Sequence, residues 1–80
     1  MRRKKANVLD FDRIGIEYFQ FMRVKNDAGI TGTRYILTRQ LTEKQLDFLL
    51  YFKNVIVSTC SAKYAPEIVH DTIILADKCL

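Results

Sequence analysis

The sequence predicts a small α+β domain: a mainly antiparallel sheet of about four strands, in β-β-β-α-β-α order, with two helices packed on one face. Three observations predict it. Aromatic and β-branched segments flank a turn at Asn26–Gly29, a helix-starting signature lies at Thr42–Gln45, and apolar residues recur at helical spacing after Pro66. Residues 1 to 7 read as a basic flexible arm, because four adjacent positive charges, Arg2, Arg3, Lys4 and Lys5, repel one another and bury nothing. Residues 8 to 80 read as a single domain.

Val8 to Ile16 is strand-like without clean alternation, and Gly15 marks a bulge, bend or break. Glu17 to Val24 contains Tyr18, Phe19, Phe21 and Val24 and neither Gly nor Pro, a strand signal. Asn26-Asp27-Ala28-Gly29 closes a hairpin, with Gly29 supplying the left-handed residue. The second strand is then Ile30 to Thr38. Pairing Asn26 with Ile30 sets Phe19 opposite Leu37, Phe21 opposite Tyr35 and Arg23 opposite Thr33, the expected core face. The other face pairs Tyr18 with Thr38, Gln20 with Ile36 and Met22 with Arg34, and it is expected to be open.

Thr42 and Gln45 form a capping box, and Leu41 and Leu46 have the spacing of a hydrophobic staple. The helix is expected over Glu43 to Lys53, with Leu46, Leu49 and Leu50 on its buried side and Asn54 as its cap. Val55 to Cys60, short and β-branched, reads as a buried strand. After Pro66, the residues Ile68, Val69, Thr72, Ile73 and Ala76 share a helical face, and only Ile74 offends. A helix over about 66–79 is therefore preferred to a strand at Thr72–Ala76, which composition favours. The expected structural residues are Phe19, Phe21, Tyr35, Leu37, Leu46, Leu49, Leu50, Val55 and Val57.

Two cysteines, Cys60 and Cys79, do not make the disulfide framework of a small secreted domain. The basic start lacks the apolar stretch of a signal peptide, and no apolar run approaches the roughly 20 residues of a membrane span. The expectation is a cytoplasmic protein with reduced thiols, in the host cytoplasm if the chain is viral, that uses no membrane. Homodimerisation would be a natural way for so short a chain to bury more surface.

Charge is uneven. Residues 1–40 carry nine basic against four acidic side chains, a net +5, and residues 41–80 carry a net −1. Three glycines form no phosphate-binding loop. Cys60, His70 and Cys79 lack the close spacing of a zinc site, so no metal or cofactor is expected. A Cys60/His70 nucleophile pair is a remote enzymatic alternative. The reading that asks least is a non-enzymatic binding or regulatory protein acting through a protein–protein interface, as an inhibitor or adaptor. Its size is one that regulators of phages and mobile elements share. The alternative is nucleic-acid binding by a basic aromatic hairpin and the N-terminal arm. Both readings use Arg23, Lys25, Arg34 and Arg39, with Tyr18 and Met22 on the open face and Arg2, Arg3, Lys4 and Lys5 as an electrostatic tether.

Overall fold

The computed structural model of the chain describes residues 9–77. The expected basic arm lies outside them. The described chain is an α+β fold: α1 (Phe11–Ile14), β1 (Tyr18–Lys25), β2 (Thr31–Leu37), α2 (Glu43–Thr59), a 3-10 turn (Ala62–Tyr64), β3 (Glu67–Val69) and β4 (Thr72–Ala76). One antiparallel sheet runs in the order β1-β2-β4-β3.

The segment expected as a first strand is a single helical turn instead. Asp10 caps its start by accepting the Arg13 N–H at 3.3 Å. Gly15, at φ 75°, ends it. The Ile16 N–H then reaches back to the Phe11 carbonyl at 3.0 Å, the long closing bond of a left-handed helix end. An N-cap and a C-terminal glycine this close together override the strand propensity between them.

The hairpin forms as expected. Gly29 has φ 82° and donates to the Asn26 carbonyl, while the Asn26 side-chain oxygen accepts from the N–H groups of Ala28 and Ile30, both at 2.9 Å. The register from Gln20 to Lys25 is the expected one, with Phe21 opposite Tyr35 and Arg23 opposite Thr33. It then slips. A β-bulge at Phe19 sets Tyr18, not Phe19, opposite Leu37. Tyr18 thereby changes face and joins an edge-to-face ring cluster, with centroids 4.8 Å from Tyr35, 5.7 Å from Phe11 and 6.1 Å from Phe21. Phe19 is left 67% exposed.

The capping box is present in both directions: the Gln45 N–H donates to Thr42 Oγ1 at 3.1 Å, and the Thr42 N–H donates to Gln45 Oε1 at 2.9 Å. Gln45 Nε2 also donates to the Ile14 and Gly15 carbonyls at 3.0 and 3.1 Å, which ties α2 to the end of α1. The helix does not stop at Lys53. It continues for 17 residues and absorbs the segment expected as a buried strand. Ile56 explains this. It lies two turns beyond Leu49 on the same side, both are fully buried, and no Gly or Pro intervenes. Burial of that stripe outweighs the weak strand preference of Val55, Ile56 and Val57.

The expected last helix is a β-hairpin turning at His70 and Asp71. Ile74, the residue that broke the helical pattern, marks the difference. In a strand, Ile73 and Leu75 face the core while Ile74 and Ala76 face away. β4 lies between β2 and β3 and pairs with both, and this pairing favours the strand.

The core is Ile16, Leu37, Leu49 and Ile73, with Leu9, Phe11, Ile14, Tyr35, Leu41, Ile68 and Leu75 packed around it. Leu37 and Leu49 fill their expected roles. Phe19, Phe21, Leu50 and Val57, also expected inside, are exposed. Leu49→Ala is expected to cost about 2–5 kcal/mol in a urea titration, and a loss near zero would contradict the packing. Gly32 pairs with Ala76, and a Cβ placed on it would stand 2.4 Å from the Leu75 carbonyl oxygen. Gly32→Ala should therefore cost about 1–3 kcal/mol, as overpacking against backbone does. An unchanged urea midpoint would refute that close approach.

Candidate binding surface

Strand alternation divides the sheet into two unlike faces. Tyr35, Leu37, Ile73 and Leu75 point to the side that holds α1 and α2, and they belong to the core or touch it. The opposite side carries Gln20, Met22 and Val24 of β1, then Gly32, Arg34 and Ile36 of β2, Thr72, Ile74 and Ala76 of β4, and Glu67 and Val69 of β3. None of these residues joins the core cluster. Arg34 and Glu67 are the cross-strand neighbours of Ile74 on its two sides.

Two shallow concavities mark this second face. One, of about 360 Å³, lies between Val24, the hairpin turn, Ile74 and Glu67. The other, of about 320 Å³, lies between Arg34, Glu67, Val69 and Thr72. Shared Glu67 and Ile74 make them neighbours. The surface is a row of apolar side chains with one cation, one carboxylate and polar edges.

The expected site residues do not converge. Met22 and Arg34 lie on the open face. Arg23 and Lys25, on alternate residues of β1, lie on the helix side, and so does Tyr18 because of the bulge. Arg39 follows β2 and approaches Glu17 at 3.8 Å. Arg2, Arg3, Lys4 and Lys5 lie outside the described residues. Ile74, Val69 and Glu67 were missed as surface candidates because the segment was expected to be a helix. The signal that bears on Ile74 is the continuous, β-branched run Thr72–Leu75, whose composition favours a strand.

Arg23 has a structural task. One guanidinium nitrogen donates to Asp77 Oδ1 at 2.9 Å and to Thr33 Oγ1 at 2.7 Å, and the other pairs closely with Asp77 Oδ2. Thr31 Oγ1 donates to the same carboxylate at 2.9 Å. The fork ties β1, across β2, to the end of β4. The Asp77 hydrogen bond holds the Arg23 pKa above its ordinary value. Tyr35 sits nearby. Burial, and then the neighbouring Tyr18, hold its hydroxyl above the ordinary 10.0.

No group of three or more metal-ligating side chains gathers among the described residues. Cys60 is disulfide-bonded, against the expectation of reduced thiols, so it offers no thiolate to His70. His70 sits in the exposed β3–β4 turn. Among the described residues, no helix is long and apolar enough to cross a membrane. No known family, curated protein or solved structure matches the chain.

Two predictions follow from this geometry. Arg23→Glu should destabilise the fold by facing Asp77, Arg34→Glu should not, and the swap Arg23→Asp with Asp77→Arg should recover part of the loss. Equal urea midpoints for the first two variants would show that the fork holds nothing. For Tyr35 the folded state favours the neutral phenol. That stabilisation is complete below the ordinary tyrosine range and is lost as pH rises through the folded pKa. Tyr35→Phe should flatten the alkaline fall of stability, and a fall equal to that of the wild type would contradict this.

Proposed function

We propose that the chain is a non-enzymatic binding protein that occupies a partner protein's surface with the open face of its sheet. The carrying observation is the pairing of apolar and charged groups there. Met22, Val24, Ile36, Ile74 and Val69 form a band between β1 and β3, with Arg34 and Glu67 set beside Ile74. Arg34 stands within the band, between Met22 and Ile74, and Glu67 at its β3 edge. Met and Arg are enriched in protein interfaces.

The basic residues support a nucleic-acid surface less well, because they are divided between two faces and Arg23 and Arg39 have acidic neighbours. The observation that keeps this second reading is Phe21, 60% exposed on the same side as Lys25 and next to Tyr18. A single strand could stack there. The Cys60 disulfide belongs with an oxidising compartment rather than the cytoplasm: protection of Cys60 from alkylation in unreduced cell extract is the expected result, and rapid alkylation would return the chain to the reducing cytoplasm.

The test of function compares surfaces. A protein captured by the wild type should be lost with Arg34→Glu/Val69→Glu and kept with Tyr51→Ala on the outer side of α2. Capture should persist between about 50 and 200 mM salt, a range over which phosphate contacts weaken steeply. Oligonucleotide binding that collapses over that range and is abolished by Phe21→Ala would replace the proposal with the second reading.

A further inference from the structure

β1 is an edge of the sheet, and among the described strands it pairs only with β2. The other edge, β3, is three residues long, whereas β1 has eight. The Asn26 N–H donates to the Ile30 carbonyl at 3.0 Å. Antiparallel alternation then places the hydrogen-bonded pairs of β1 and β2 at Val24, Met22 and Gln20. The backbone N–H and C=O groups of Phe21, Arg23 and Lys25 consequently point away from β2, along the open edge. Tyr18, Phe19 and Phe21 expose 42, 67 and 60% of their surface beside it.

Sheet edges are ordinarily protected by proline, by shortness, by charged side chains or by bulges. β1 has no proline, and its central charge, Arg23, is neutralised by Asp77. Arg39 near its other end has Glu17 at 3.8 Å. The bulge at Phe19 and the cation of Lys25 lie towards the two ends of β1, outside the regular stretch from Gln20 to Val24, so two copies of that stretch can approach without strong repulsion.

We propose that two copies of the chain join antiparallel through β1, about a two-fold axis at Met22, into one continuous sheet. The axis position follows from exclusion. A two-fold axis perpendicular to the sheet sets one residue opposite itself and keeps like faces together. Centring on Phe21 would draw the bulged Phe19 into the ladder. Centring on Arg23 would set two arginines directly opposite, which is unfavourable. Centring on Met22 keeps the ladder within the regular segment from Gln20 to Val24. Phe21 and Arg23, whose backbone groups are outward, then bond reciprocally. Each Arg23 comes beside the Phe21 ring of the other copy, a favourable cation–aromatic contact. The open faces of the two sheets become one surface.

The test uses cysteine scanning in the full chain. Under mild oxidation Met22→Cys should cross-link to itself, because facing residues on the axis have the Cα separation a disulfide needs. Gln20→Cys and Val24→Cys should cross-link only when mixed, since they face each other. Arg34→Cys and the wild type are the background controls. Light scattering on the wild type should give twice the chain mass, and Phe21→Lys should raise the dimer Kd about tenfold or more, or a shift of about 1.4 kcal/mol, with an unchanged far-UV spectrum. If Phe21→Lys fails to fold, the cross-linking pattern decides alone. A monomer mass at every concentration, or cross-linking at Met22→Cys no greater than at Arg34→Cys, would overturn the proposal.

Discussion

Leu49 exposes no surface, and the arrangement of the whole chain depends on its burial. It shares one core cluster with Leu37 of β2, Ile73 of β4 and Ile16 after α1, so four segments distant in sequence come together there. A chain of this length can bury one such region and little more. The single long helix therefore covers one face of the sheet. Among the described residues the other face has only its own side chains, and this one-sidedness is what the proposed binding role rests on. Gln45 holds the arrangement at the start of α2. Its side chain closes the capping box and also bonds two carbonyls at the end of α1. A local folding signal thus doubles as a tertiary link.

What could be read from the sequence was whatever short-range chemistry decides. Asn26 and Gly29 determine the hairpin and most of its register because the turn needs an Asx acceptor and a left-handed residue at fixed positions. Thr42 and Gln45 determine where α2 begins. The failures share a cause. Val55–Thr59 and Thr72–Ala76 have similar compositions, yet one is helix and the other strand. The difference lies in their neighbours. Ile56 completes a stripe that Leu49 begins, whereas β4 finds strands on both sides. Neither neighbour is local, so composition misjudges the first segment and helical periodicity the second. The bulge at Phe19 is a third case. It is set by a ring cluster assembled from α1, β1 and β2, and one strand's alternation carries no sign of it.

The candidate site was legible to the same extent. Met22 and Arg34 were placed correctly because the hairpin register was. Arg23 was expected at the binding site, and its pairing could not be read because its partner, Asp77, stands 54 positions away at the end of a strand read as helix. Once paired, Arg23 serves the sheet and also leaves the β1 edge electrically quiet. One ion pair thereby connects stability with the capacity of that edge to associate. The two surfaces remain distinct: the open face presents side chains, and the edge presents backbone.

The most direct measurement is the solvent accessibility of individual methyl groups, by NMR with a soluble paramagnetic agent. The account predicts strong relaxation at Met22, Ile36 and Ile74 and protection at Leu49, Ile56 and Ile73, since only the second set lies beneath the helix or the sheet. Equal protection of both sets would mean that the supposed open face is already covered, and would contradict the assignment of that face to a partner.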